Sequence, residues 1–304
     1  MNDNLISIIV STTKLSNIQK CLQSLFHQTY SNIEIIVVYH DDRVQQRIMF
    51  PKNTPLIRYY WQKRKSLSAS RNKGVHLARG AIIAFTDDDC VVNNNWAQTI
   101  YTAFKKHKDI SCLTGNVFSY KAAIRKICPC TFSQKTTLIT HPLYHSDFIG
   151  YGNNMAFRKN VFTGIGLFKE WMGVGSIGLS AEDAEMFERI LLNSLTILHL
   201  STLIVYHDRL LTTPEMNKRQ LMYNCGEMAC YGYFFFQGHA FARSIILENI
   251  RDSYYKTRKI VKNVLLLHWE KELIKEAWCV IIESIYRIRG LLIGAWFSFF
   301  DPVR

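Results

Sequence analysis

The sequence predicts an α/β fold: a mostly parallel sheet flanked by helices, with a helical carboxyl-terminal extension. Three observations carry this. Short apolar runs at residues 5–10, 33–38 and 81–85 have the length and composition of strands buried on both faces. Stretches with helical apolar spacing lie between them, and strand, helix, strand in succession implies right-handed parallel crossovers. Beyond Pro214 the chain reads as helical to its end, with aromatics gathered at residues 231–236.

With 304 residues, 48% of them hydrophobic, the chain can bury a full core as one large domain or a domain with an appendage. We divide it into a main α/β domain over 1–240 and a helical extension over 241–304. Its 37 Lys and Arg against 24 Asp and Glu give +13, a balance that suits phosphate-bearing ligands, nucleic acid or an anionic membrane surface without choosing among them. Eight cysteines are scattered, with one Cys-x-Cys and no Cys-x-x-Cys, which suggests buried thiols in a reducing compartment rather than a zinc knuckle or disulfide framework. Met-Asn-Asp-Asn runs straight into the first strand without the features of a signal peptide, so a cytoplasmic protein is expected.

In order, residues 5–10 form a first strand, and Ser11-Thr12-Thr13 opens a helix with Leu15, Ile18, Leu22 and Leu25 on its apolar face. Strands follow at 33–38 and 56–61, a helix at 68–79, and then the run Gly80-Ala-Ile-Ile-Ala-Phe-Thr86. Residues 95–106 make an amphipathic helix and 110–118 a strand, after which the pattern dissolves over 119–146. Gly150 and Gly152 precede a short strand at 153–157, where backbone must pass close to something. Gly173 and Gly175 precede Ser180-Ala-Glu182-Asp183, a variant capping box that starts a helix. Residues 203–206 form a strand ending at His207.

The chemistry concentrates where the buried run at 81–85 ends in Asp87, Asp88 and Asp89. Ligands in open α/β sheets bind outside the carboxyl ends of strands, and three adjacent carboxylates repel unless a cation sits among them. Oxygen ligands suit Mg2+ or Mn2+. Residues 52–79 hold eight basic residues and no acid, either a solvated face or a diphosphate-binding stretch, with Arg71 favoured for function.

Taken together, Ser68-Ala-Ser-Arg71-Asn-Lys-Gly74, Ala84-Phe-Thr-Asp87-Asp88-Asp89-Cys90, Gly152-Asn-Asn-Met-Ala-Phe-Arg158, Glu182-Asp183 and Tyr206-His207 resemble family 2 glycosyltransferases of the GT-A fold, a Rossmann-like architecture, over residues 5–238. The resemblance implies metal-assisted, inverting transfer of a sugar from a nucleotide-diphosphate donor to a polysaccharide, oligosaccharide or lipid-linked acceptor, as in cell-envelope polysaccharide synthesis. It assigns metal binding to Asp89, with Asp87 and His207, and the base to Asp183, with Glu182 next in line. Ser11, Thr12, Tyr39, Asp41, Arg71, Asp87 and Asp88 would contact the nucleotide sugar, and the loop from Gly173 to Gly175 would cover the acceptor. Members commonly place an Asp directly after the second strand; here Tyr39 and His40 stand there, with acids only at Asp41 and Asp42. A uridine donor is expected, with Tyr39 stacking on the base.

The alternatives are a haloacid-dehalogenase-type phosphatase with Asp87 as nucleophile, which leaves the first eighty residues without a role, and a non-catalytic binding module of the same fold. The charge alone would also fit a nucleic-acid binder, but no recognition motif accompanies it, so none is expected. In the tail, residues 290–300 form an uncharged run too short to span a bilayer, which needs about 20. Either the tail packs on the body of the protein, or its aromatic and basic residues rest peripherally on the cytoplasmic membrane face.

Overall fold

The computed structural model describes residues 2–40, 56–121, 126–130, 132–142, 150–265 and 271–301. Two compact units are present, one of Met1–His141, Phe148–Glu170 and Glu182–Pro214, the other of Pro142–Asp147, Trp171–Ala181 and Glu215–Arg304. The first holds a nine-stranded sheet among the described residues, built from β1 (Asn2–Thr12), β2 (Ile33–Tyr39), β3 (Leu56–Trp61), β4 (Gly80–Asp87), β5 (Cys90–Val92), β6 (Ile110–Ser119), β7 (Thr137–Ile139), β8 (Met155–Arg158) and β9 (Thr196–His207). Strand order is β3-β2-β1-β4-β8-β6-β9-β5, with β7 beside β9. The first four run parallel, and β8 enters antiparallel between β4 and β6. This is the expected α/β sheet with flanking helices.

Alternation along β1 shows why its sequence is apolar throughout. Ile6, Ile8 and Val10 join a core with Leu22 and Leu25 of α1 (Gln19–Phe26) and with Trp96, Ile100 and Phe104 of α3 (Trp96–Lys106). Ile9 points to the other face, beneath α2 (Leu67–Leu77), where a Cβ on Gly74 would lie 2.5 Å from Ile9 Cγ2. Gly74 therefore sets the close approach of α2 to the sheet. On that face Phe85, Phe157, Phe162 of α4 (Asn160–Gly164), Phe168 and Phe187 stack edge-to-face and offset.

Two helix starts depart from the sequence pattern. β1 continues through Thr12, and a 3₁₀ turn at Leu15–Asn17 precedes α1, so the helix begins several residues after Ser11-Thr12-Thr13. Leu15, Ile18, Leu22 and Leu25 are nonetheless all buried. At α5 (Glu182–Leu192) the capping box does not form: the Ser180 hydroxyl donates to the Met222 carbonyl at 3.0 Å, and the Asp183 carboxylate accepts from Gly152 N–H.

Buried charges are matched. Glu34, the second residue of β2, accepts from the Ser7 hydroxyl, the Arg79 N–H and the Arg58 guanidinium. Burial pushes its pKa up, but these donors outweigh it and hold the carboxyl below its ordinary value. On α5, Glu185 and Arg189 form a bidentate pair at 2.8–2.9 Å, and Arg189 also donates to the Ile165 and Leu167 carbonyls.

The second unit contains most of α6 (Thr213–Phe236), together with α7 (Ala240–Leu265) and α8 (Lys271–Phe300). Gly290 and Gly294 let α8 approach α6 at Cys225 and Ala229, where a Cβ on either would collide with α6 backbone. Trp171 stacks on Phe297 with centroids 4.4 Å apart. The segment before α5 turns sharply, with positive φ at Gly173, Gly175, Leu179 and Ala181.

Removing one partner of a buried pair leaves an uncompensated charge. Arg189→Met should destabilise by about 3–5 kcal/mol in urea unfolding, and Glu185→Gln in the same chain should recover part of that loss.

Candidate active site

The three acids sit at the carboxyl end of β4, as the burial pattern predicts. Asp87 is the last residue of the strand, alongside Ser11 of β1. Asp88 and Asp89 turn the chain into β5, which pairs antiparallel with β9 so that Cys90 faces His207. The Asp208 N–H donates to the Asp89 carbonyl at 2.7 Å, closing this corner. As a result His207 Nε2 lies 3.1 Å from Asp89 Oδ1.

The other ring nitrogen, Nδ1, is 3.2 Å from the Pro129 carbonyl and can only donate to it. Burial works against a charged imidazole, but the bond to Asp89 and the charges of Asp89 and Asp87 outweigh it, raising the His207 pKa above its ordinary value. Protonated, the ring donates from both nitrogens, and the Nε2 proton lies between the imidazole and Asp89. A divalent cation could take its place. Asp89, His207 and Cys90 offer donor atoms within 4.8 Å of one another. Burial raises the Cys90 thiol well above its usual value, and a hard cation such as Mn2+ or Mg2+ prefers the Asp89 oxygen to a soft thiolate, with His207 as the second donor.

Asp88 accepts a short hydrogen bond from the Thr12 hydroxyl. Burial is the main cause that lifts its pKa to about 6, with Thr12 opposing and the neighbouring Asp89 and Asp87 adding to the rise. Asp87 is raised as well, by burial against the pull of Arg71, although a third of its side chain meets solvent. Ser11 Oγ is buried with no hydrogen-bond partner among the described residues, a polar atom placed to meet a ligand at the strand ends.

Arg71, on α2 and 2% exposed, joins this acid cluster to the start of α5. Its guanidinium donates to Glu182 at 2.8 Å and to the Gly152 carbonyl at 3.0 Å, and lies 3.5 Å from Asp87. Burial and Asp183 outweigh Arg71 to push Glu182 up to about 7. Asp183 is held by two N–H groups, from Gly152 at 2.7 Å to Oδ2 and from Ala184 at 2.9 Å to Oδ1. A Cβ on Gly152 would stand 2.7 Å from Arg71 Nη2 and 3.1 Å from Asp183 Oδ2.

Of the residues singled out from sequence, Arg71, Asp87, Glu182 and Asp183 are thus linked through one network, Ser11, Thr12 and Asp88 lie beside it, and Asp89 pairs with His207. Tyr39 ends β2, opposite Thr12 in the sheet register. Asp41 lies outside the described residues. His40 is fixed by the Gln62 carbonyl and Ser70 hydroxyl. Much of the acid-free stretch has structural partners: Arg58 binds Glu34, Arg64 binds Glu170 and Lys73 reaches the Trp61 carbonyl. Sequence reading does not reach two features of the site. Gly152 is legible as a point of close backbone approach, but not as a donor to Asp183. Arg209, 3.7 Å from Asp89, could have been found because it follows His207-Asp208 directly.

The sequence profile of "Glycosyl transferase family 2" matches residues 7–166, more than half of the chain. The chain belongs to this family. The match takes in residues 7–80, a stretch that the phosphatase reading leaves without a role. Among relatives, the glycosyltransferase GlyA of Streptococcus pneumoniae is 32% identical over 123 residues, 39% of this chain and 17% of its own. Two further relatives are covered over 55% and 40% of their lengths, so the chain spans about half or less of these proteins. Among solved structures, S. aureus TarS 1-349 in complex with UDP covers 99% of this chain and 92% of its own at a TM-score of 0.55 and 15% identity. The mannosyltransferase PcManGT from Pyrobaculum calidifontis, in complex with GDP-Man and Mn2+, covers 97% and 88% at 0.56 and 11% identity. This family 2 chain therefore shares the GT-A fold of these enzymes.

Clustered acids with raised pKa values fix the sign of a pH effect. Folding favours protonated Asp88, so its contribution is complete below its unfolded value near 4 and is lost as pH rises through about 6. Metal-free Asp88→Asn, which keeps an acceptor for Thr12, should gain on the parent as pH rises from 5 to 8, by about 1–1.5 kcal/mol, in denaturant titrations. Mn2+ should raise the parent's Tm more at pH 8 than at pH 5. Gly152→Ala should leave the fold cooperative in thermal melts but lower turnover at least tenfold, because Arg71 and Asp183 must both give way.

Proposed function

We propose that this chain transfers a sugar from a nucleoside diphosphate sugar to a hydroxyl of a glycan or lipid-linked acceptor, with inversion at the anomeric carbon. The observation that carries the reading is the presence of two acidic centres, Asp89 paired with His207 just after β4, and Asp183 at the start of α5, tied through Gly152 and Arg71 to Asp87 at the end of the same strand. The first suits a departing diphosphate. The second suits an incoming hydroxyl.

In this reading Asp183 takes the proton of the acceptor hydroxyl while that oxygen bonds to the anomeric carbon from the face opposite the diphosphate. The anomeric C–O bond breaks, its electron pair leaves with the diphosphate, and the configuration inverts. Gly152 and Ala184 N–H groups fix the carboxylate so that it need not reorganise during the transfer. Asp89 and His207 would hold Mn2+ or Mg2+, which when bound neutralises charge on the leaving group as a Lewis acid. Arg209 stands beside Asp89 and would contact the same diphosphate. Thr12, Asp88 and Ser11 would line the nucleoside subsite, with Tyr39 stacking on the base. The UDP bound in the TarS structure supports a uridine donor, and the GDP-Man bound to PcManGT makes guanosine the next choice.

Asp183→Asn should lower turnover by roughly 100-fold while leaving UDP affinity intact in calorimetry, since only the proton acceptor is lost. Near-normal turnover would place the base elsewhere. Asp89→Ala should abolish the response to Mn2+, and full turnover of the parent in excess chelator would remove the metal from the reaction. In the same titrations UDP should bind more tightly than GDP.

A further inference from the structure

The second unit carries a surface to which the proposed function assigns no role. One side of α8 is packed: Leu273, Gly290, Ile293 and Ser298 are buried, and Trp171 stacks on Phe297. The opposite side is exposed and apolar along almost the whole helix. Ile274, Trp278, Ile281, Ile285, Ile288, Leu292, Trp296 and Phe299 recur every three or four residues, and each is 48% exposed or more. At 1.5 Å per residue this stripe runs about 40 Å. A monomer in water rarely leaves so long an apolar ridge open.

The charges around the stripe decide what fits it. The α8 acids Glu276 and Glu283 are turned toward α7, where they meet Lys259 and Lys256, and α7's Asp252 meets Arg287. Glu283 and Asp252 are thereby drawn into the α7–α8 seam, while Glu276 meets Lys259 at the surface. Arg289 is exposed at the edge of the stripe, about 20° around the helix from Trp278, and α7 exposes Arg251, Arg258 and Lys262. Tryptophans stand toward both ends, side chains that favour the boundary between headgroups and acyl chains. No described helix is long and apolar enough to cross a membrane.

We propose that the exposed side of α8 lies in the plane of an anionic bilayer, its apolar stripe in the acyl boundary and its basic edge on lipid phosphates. A second copy of the chain would fit the ridge less well, because pairing two such faces sets Arg289 near its own kind, and the described residues of the stripe and its edges include no acid to answer it. The surface stands apart from the transfer reaction and holds whether or not the donor and acceptor above are correct.

The test uses the purified full chain with vesicles. It should sediment with phosphatidylglycerol-containing vesicles at low salt, and bind pure phosphatidylcholine more than tenfold more weakly. Arg289→Glu should weaken binding by roughly ten- to thirtyfold, since each charge near the surface changes affinity about fivefold. Ile285→Asp with Leu292→Asp should abolish it, with an unchanged thermal melt as the control for folding. In the unmutated chain, brominated anionic lipid should quench tryptophan fluorescence, and Trp278→Phe with Trp296→Phe should remove most of that quenching. Absence of vesicle binding, equal binding by the double Asp variant, or quenching unaffected by the Trp replacements would overturn the proposal. A dimer in sedimentation equilibrium that the double Asp variant dissolves, without vesicle binding, would assign the face to self-association instead.

Discussion

One buried guanidinium holds the candidate site together. Arg71 is anchored on α2, sits over the rings of Phe85 and Phe168, and reaches Glu182, the Gly152 carbonyl and Asp87 at once. Each of those partners belongs to a different segment, so the guanidinium fixes the distance between the acid-tipped strand and the start of α5. Gly152 completes the link by presenting its carbonyl to Arg71 and its N–H to Asp183. A fork with several fixed donors can serve three partners simultaneously, which an ammonium on a flexible stem does less well.

Around that anchor the fold tolerates an electrostatic conflict. Asp87, Asp88 and Glu182 all have raised pKa values because burial and mutual repulsion exceed the help given by Arg71 and Thr12. Such a cluster is poorly satisfied by the protein alone and is settled by protons or by a cation. This is the pattern expected where an active site keeps charge in readiness for a ligand. The structural acids elsewhere show the contrast: Glu34 has three donors and its pKa is lowered.

The two units divide these tasks. Parallel strands buried on both faces give the first unit a rigid platform on which strand ends are fixed to within hydrogen-bond distance. The second unit is helical, and its last helix is amphipathic in an unusual sense: one side is sealed by glycine contacts with α6, while the other remains apolar in water.

Much of this was legible in the residues. A run such as Gly80–Asp87 announces a doubly buried strand, and acids at its end can only lie at the sheet's carboxyl edge. The ordered motifs fixed the fold class, and the tail was read as too short in its apolar run to span a bilayer. Local signals misled where a side chain had two options. Ser180 and Asp183 read as a capping box, yet the serine went to Met222 and the carboxylate to a backbone N–H 31 residues away. The basic stretch around residue 64 read in part as a diphosphate site, but Arg58 and Arg64 found Glu34 and Glu170. Periodicity therefore determined which face of each element is apolar and where the acids must emerge, because burial repeats with the backbone. Which donor meets which carboxylate was decided only by the tertiary structure, since hydrogen bonds are directional, short-ranged and blind to distance along the chain.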